Sequence, residues 1–471
     1  MFSAHFGSML RMRIREVIGV LSLGFLSLGY AAVQPGDLIA PSSPAEWKSL
    51  EHYSNSLTRS EFEERLKNIF DPTGSLAPFL KITDQEVQIF DQSTSVKSTN
   101  APTPVATISF ATNPPPPLSA SPSPNPTATP SPSPSISPDT NSLFTWTTAA
   151  FFPTSPMPEP VTKPAAKLPL AGLRVVIEPA DIGGVWGSME DRSTLYPGFG
   201  RIQEGDLNLL VSRLLSERLK QLGAEVYATR DTAEPVCKLS VKEVQQIVPQ
   251  VLAHHRYLLA KTFTSRTTNV RTSSPIYQKI VAEVLLTKNL EAKARAEITR
   301  ESIKPDITII LQFDATAARH RANFPKINRN ILFISGAYTA KEISSDPQQR
   351  LRLLTKLLEN VTPTETRVAF AISDHLVEST GFPPVNYGNS WSTRSILGNP
   401  FVVARNLLLN REHDGPVVVT EPYFMNQEET LLRLLAGDYE GMKTIAGKPR
   451  ISIYREYAGA VADGLVEAYG K

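Results

Sequence analysis

Cysteine is nearly absent: Cys237 is the one thiol in 471 residues. It forms no intramolecular disulfide, has no Cys or His neighbour at metal-ligand spacing, and reads as a structural thiol. An excess of one charge is missing as well, since 48 Lys and Arg face 46 Asp and Glu, interspersed, for a net +2. That balance removes the electrostatic argument for nucleic acid as a partner. Beyond residue 28 no long apolar run occurs. Also lacking are a Gly-rich phosphate loop, a cysteine-nucleophile motif and a nucleophile-elbow serine, which sets those chemistries aside.

What is there begins with Arg11, Arg13 and Arg15, the apolar run Val17 to Leu28, and the small residues Gly29, Ala31 and Ala32. This order is that of a secretory signal, and the apolar core is short for a bilayer span. Residues 1–32 are therefore expected to be a signal peptide, with a membrane anchor as the alternative. No cysteine follows to take a lipid. The mature chain is expected to be exported, to a periplasm, a cell envelope or the medium.

Residues 33–92 read as a small, mainly helical module, with a helix opened by Thr58 and Ser60 and continued by Phe62, Leu66, Ile69 and Phe70. The short apolar runs Phe79 to Ile82 and Val87 to Phe90 suit strands or a docking arm. Over 93–168 the composition turns to Pro, Ser, Thr and Ala, too polar to offset its ordering entropy, and reads as a disordered linker or wall-spanning spacer. Its aromatic residues near Phe144 to Phe152 are candidates for docking on a neighbouring domain.

From 169 to 471 the pattern is α/β. The runs Leu173 to Ile177, Glu225 to Arg230, Asp306 to Phe313, Asn330 to Tyr338 and Pro416 to Thr420 predict strands. Helices are predicted after Asp206 and closed by Gly223, at Gln348 to Leu358 and Thr364 to Glu378, and along a last face of Tyr457, Val461, Leu465 and Tyr469. The fold class follows: a mostly parallel twisted sheet flanked by helices on both faces, with ligands expected at the carboxyl ends of its strands. A helical insertion is expected at about 233–303. Its adjacent His254 and His255 would point to different helix faces, which argues against joint metal binding.

Three segments in fixed order carry a resemblance. Val175 to Gly184 reads Val-Val-Ile-Glu-Pro-Ala-Asp-Ile-Gly-Gly; Glu204-Gly205-Asp206-Leu207-Asn208-Leu209 runs into a helix and on to Gly223 and Arg230; Pro416 to Asn426 reads Pro-Val-Val-Val-Thr-Glu-Pro-Tyr-Phe-Met-Asn. Together they resemble the zinc-dependent N-acetylmuramoyl-L-alanine amidases, whose first loop is Asp-Pro-Gly-His-Gly-Gly. The resemblance implies an exported domain acting on peptidoglycan at the amide between N-acetylmuramic acid and L-alanine. It also implies zinc held by His, Glu and His, with a second Glu as general base. Glu204 then stands at the glutamate-ligand position and Glu421 at the base position.

Both histidines are replaced. Asp181 falls at the first and Gln312 at the second, with Asp314 where an Asn follows; sliding the first loop by one residue would put Ile182 at the first. An all-oxygen set suits a harder divalent ion, or none, better than zinc. His320 is a candidate substitute ligand; His375 and His413 read as hydrogen-bonded or surface side chains. Two readings therefore stand. One is a peptidoglycan amidase with altered ligands; the other is an amidase-like domain that binds peptidoglycan or regulates wall remodelling without cutting. The amino-terminal module adds cell-wall or envelope proteins as candidate partners.

Overall fold

The computed structural model describes residues 33–38, 42–92, 103–112, 168–254, 274–318, 320–385, 387, 390 and 392–470. The expectations for the signal segment, for Phe144 to Phe152, for His255 and for most of the proline-rich stretch lie outside them.

In chain order, α1 (Pro44–Ser49) and α2 (Arg59–Arg65) each open on a capping box, Ser43 with Glu46 and Thr58 with Glu61. The antiparallel strands β1 (Leu80–Ile82), β2 (Glu86–Ile89) and β3 (Ala106–Ser109) follow. The module is mainly helical through Phe79 and has strands where the two apolar runs suggested them, whereas β3 comes from the stretch assigned to the linker. Two short apolar strands cannot close a sheet alone, and the alternation Ala106-Thr-Ile-Ser109 supplies the third, with Ala106 and Ile108 buried.

Next come β4 (Arg174–Pro179), the hairpin β5 (Ser193–Tyr196) and β6 (Gly200–Gln203), α3 (Glu204–Gln221) and β7 (Glu225–Ala228). The insertion holds α4 (Val241–His254), α5 (Pro275–Val284) and α6 (Glu291–Ile298), the last two joined by a wide helical turn, Leu285–Leu290. Then follow β8 (Ile307–Leu311), β9 (Ile331–Ile334), α7 (Ala340–Ser345), α8 (Pro347–Leu358) and α9 (Thr362–Thr380). The chain ends with β10 (Arg394–Ile396), β11 (Asn399–Ala404), α10 (Leu408–Glu412), β12 (Val417–Glu421), α11 (Glu428–Leu435), β13 (Lys443–Ile445), β14 (Lys448–Arg450) and α12 (Ile453–Tyr469).

The central sheet has seven strands in the order β10-β11-β9-β12-β8-β4-β7. Pairing is parallel except at β12–β9 and β10–β11. Alternation along the strands sorts the core between the two faces. Ile177, Ile309, Leu332 and Val418 face α3, α9 and α12, whereas Ile310, Phe333, Val417 and Val419 face the other side. By the same alternation Gln312 and Glu421, just past Ile310 and Val419, belong to the second face. The strand ends that carry them are adjacent, because Thr420 pairs with Leu311.

The insertion has its own apolar core, in which Val244, Val248 and Val251 of α4 meet Tyr277, Val281 and Leu285. It is tied to the sheet by a buried charge cluster. Arg295 of α6 contacts Glu178 of β4 at 2.5 Å and Glu291 at 2.7 Å, all three side chains 3 % exposed or less. Burial opposes ionisation of Glu178, but Arg295 and His413 hold it down at about 2.

The amino-terminal module has no separate core. Trp47, Phe62, Phe79, Ile89 and Ile108 pack with Leu351, Leu354 and Leu357 of α8. Backbone bonds from Ala337 and Tyr338 to the Ile69 and Phe70 carbonyls complete the junction. Its apolar face is thus used within the chain. Among the described residues no helix is long and apolar enough to cross a membrane.

Candidate functional site

The three resembling segments converge at one end of β4, β8 and β12. The loop after β4 lies directly on the amino terminus of α3. A Cβ on Gly183 would meet Asp206 Oδ1 at 2.4 Å and the Asp206 nitrogen at 2.7 Å, and one on Gly205 would meet the Gly183 nitrogen at 2.3 Å. Gly183 also has φ 81°, a backbone that favours glycine. This contact explains the Gly-Gly and Glu-Gly-Asp motifs together. Asp206 accepts a hydrogen bond from the Gly184 amide at 2.8 Å, and the Asn208 side chain donates to the Ala180 carbonyl at 2.9 Å. Arg230, at the end of the Ala-Thr-Arg segment, donates to the carbonyls of Pro179 and Gly205 at 3.2 and 3.1 Å.

On this frame stand the predicted residues. Asp181 adopts φ 57°, which Asp tolerates better than most residues. Its Oδ2 is buried with no hydrogen-bond partner. Glu204, at the first turn of α3, is buried and accepts a long bond, 3.4 Å, from the Phe313 amide. Gln312 and Glu421 line the same cleft.

Among them sits a residue that sequence reasoning missed. Arg192, just before β5, places its Nε 3.5 Å from Asp181 Oδ1 and 3.8 Å from Glu204 Oε2. Its carbonyl also accepts the Glu204 amide at 3.2 Å, so backbone and side chain are both fixed beside α3. The two carboxylates hold the guanidinium firmly protonated. A signal for it existed in the charge arithmetic. Replacing a neutral imidazole by Asp181 beside Glu204 adds a negative charge to a desolvated cleft, and such a charge calls for a cation.

The acids behave accordingly. Burial, then the Asp181 charge, push Glu204 well above the usual carboxylate range, with Arg192 pulling the other way. Burial and Asp314 raise Glu421 to about 8, against Arg405 and Arg192. Glu190, also missed, rises to about 8 through burial and Asp181, although it accepts the Ile182 and Gly183 amides at 2.7 and 3.1 Å. The raised value favours the protonated form of Glu421 at neutral pH.

The residues present do not fit a zinc ion. The donors are two carboxylates and an amide, and the cation they face is the guanidinium of Arg192. Among the described residues no group of three or more His, Cys, Asp or Glu side chains is arranged to hold a metal. The substitute ligand suggested by sequence is not recruited, since His320 is exposed and lines neither hollow of the cleft. His413 is buried but turned to Thr299 Oγ1 at 3.1 Å and Glu178 Oε2 at 3.6 Å. His375 lies on α9 against Glu467 at 3.0 Å and Glu378 at 3.6 Å.

The cleft has two hollows that share Arg192, Gln312 and Glu421. One, of about 300 Å³, opens toward the insertion, between Lys288 and Leu407 to Leu409. The other, of about 150 Å³, opens toward the β5–β6 hairpin, between Tyr196, Ile202 and Met425.

No model of a known family and no curated protein matches the chain. Solved structures similar to it include N-acetylmuramoyl-L-alanine amidase AmiC2 of Nostoc punctiforme, 14% identical, TM-score 0.32, covering 63% of this chain and 96% of that one. The CwlD amidase of Clostridioides difficile, solved in complex with the GerS lipoprotein, is 14% identical with TM-score 0.35, covering 63% and 98%. Ami1 of Mycobacterium smegmatis is 13% identical with TM-score 0.35, covering 64% and 98%.

Proposed function

We propose that this chain is an exported, amidase-like peptidoglycan-binding domain that does not hydrolyse through zinc. The carrying observation is the position of Arg192. Its guanidinium faces Asp181 and Glu204, two of the three side chains that the resemblance assigns to the metal. A resident guanidinium supplies a positive charge but no open coordination position, so it generates no nucleophilic water. Glu421 with a raised pKa removes the second requirement, an ionised base at neutral pH. What survives is a cleft whose two hollows both reach Glu421, and we read it as the groove for a glycan–peptide ligand. Export and peptidoglycan rest on the signal-like amino terminus and on the three motif segments now seen around one cleft.

The test uses the mature full-length chain. Metal content after purification in zinc, release of stem peptide from purified sacculi, and co-sedimentation with sacculi are measured together. We expect substoichiometric zinc, no peptide release and saturable sedimentation. One zinc per chain with release abolished in Glu421→Gln would overturn the reading.

A further inference from the structure

The larger hollow contains charges that the metal-site comparison leaves unexplained. Of its lining cations, Arg295 is matched by Glu178 and Glu291, and Arg192 by Asp181 and Glu204. Lys288 and Arg405 also line it, and among the described residues neither makes an ion pair. Lys288 lies on the wide turn between α5 and α6, where burial and then the Arg192 charge depress its ammonium below the usual lysine range. Arg405, one residue beyond β11, lies over the rings of Phe333 and Tyr387 at 5.5 and 5.7 Å, which keeps its guanidinium over the second face of the sheet. Glu421 attracts Arg405, whereas Asp181, Asp191 and Glu190 attract Lys288. Of the charged side chains that line the hollow, four are cations, Arg192, Lys288, Arg295 and Arg405, and three are acids, Asp181, Glu291 and Glu421. The rest of the lining is largely apolar, from Leu407, Leu408 and Val419.

A volume of about 300 Å³ is at the small end of ligand sites and admits roughly the last two small residues of a chain. We propose that this hollow is a subsite for the carboxylate end of a short peptide, bound by Lys288 and Arg405 with its side chains against Leu407, Leu408 and Val419. The insertion supplies the lysine and the sheet supplies the arginine, so the subsite exists only with the insertion docked. This deepens the peptidoglycan-binding reading and rests on it for the source of the peptide, while the carboxylate chemistry stands on the cleft alone.

The experiment measures binding of N-acetyl-Ala-Ala and of its carboxamide to the full mature chain by titration calorimetry at pH 7. Sacculus sedimentation is run in parallel. The acid is expected to bind at least tenfold tighter than the amide. Lys288→Gln and Arg405→Gln should each erase that preference, and Lys288→Arg should keep it, which separates lost charge from lost folding. Equal affinity for acid and amide, or an acid preference untouched in both glutamine variants, overturns the subsite even where sacculi sediment. An acid preference lost in both glutamine variants upholds it even where sacculi do not, and then the peptidoglycan reading is the one that fails.

Discussion

Replacing Arg192 by methionine keeps the unbranched apolar stem of the side chain and removes its charged head. At 3.5 and 3.8 Å, and with an effective dielectric constant of about 20, each contact has a raw Coulomb energy of roughly 4–5 kcal/mol. Most of that is offset by desolvation and by screening, since 45% of the Arg192 side chain is exposed. A net loss of about 1–2 kcal/mol is expected at pH 8. The size of the loss depends on pH. Glu204 already has a raised folded-state pKa, and losing Arg192 raises it further, so the native state binds its proton more tightly than the unfolded chain. Below the folded-state range of Glu204 both proteins keep its proton, so the Glu204 part of the penalty is present at high pH and is gone once pH falls below that range. Urea unfolding at pH 8 and pH 5 measures it, the difference between variant and wild type shrinking to a few tenths of a kcal/mol at about pH 5. Added Mn²⁺ should raise the melting temperature of the variant at pH 8 and leave the wild type unchanged, because Asp181, Glu204 and Gln312 then lack a resident cation. Equal destabilisation at both pH values would mean that packing, not charge, is what Arg192 contributes. A wild type stabilised by Mn²⁺ as strongly as the variant would refute the argument directly.

The Glu421→Gln change should act in the opposite direction. With a folded value of about 8 against the ordinary 4.5, the wild type loses stability as pH rises through that window, so the variant should match it at pH 4 and exceed it by roughly 2–4 kcal/mol above pH 8. A difference that is flat between pH 5 and 9 would show that Glu421 is ionised throughout. Arg295→Met strands Glu178 and Glu291 in the interior and should cost about 3–5 kcal/mol by chemical denaturation, whereas a loss under 1 kcal/mol would mean that the insertion is not held by this cluster. For Gly183→Ala, the new methyl meets backbone of α3 at 2.7 Å in a left-handed conformation, and a loss of about 2–3 kcal/mol is expected. Full stability in that variant would place the loop elsewhere.

The sheet was legible where apolar runs were long enough to be buried on both faces, as at Ile307–Leu311 and Ile331–Ile334. It was legible at the β7 edge but not at the β10 end of the sheet. Arg394–Ile396 has one apolar residue and Asn399–Ala404 opens on Asn and Pro, so the apolar run Phe401 to Ala404 is short; β11 is placed by β9 and β10 by β11 rather than by local pattern. The β5–β6 hairpin was missed for a similar reason, since of its eight residues only Tyr196 and Ile202 are buried. At the site, Glu204, Glu421, Asp181 and Gln312 could be placed because each sits inside a segment with a pattern of its own. Arg192, Lys288 and Arg405 could not, because they reach the cleft from a hairpin, an inserted helix and the end of the strand next to the sheet edge. No local periodicity marks a side chain whose partners are distant in sequence.

These missed residues are the ones that decide the chemistry. In a site with two imidazoles and one carboxylate, a divalent ion leaves a net positive charge that acidifies its water. Here the histidine positions hold Asp181 and Gln312, and a monovalent guanidinium faces Asp181 and Glu204. One positive charge does not neutralise two carboxylates in a desolvated cleft, and the raised pKa of Glu204 is the consequence. The same surplus of acid raises Glu190 and contributes to the shift of Glu421. Restoring histidine at 181 and 312 would therefore not by itself restore a zinc site, because Arg192 would still project into it, tied to Glu204 through its own carbonyl. A carboxylate at 181 and a guanidinium at 192 therefore belong to one charge balance in the cleft.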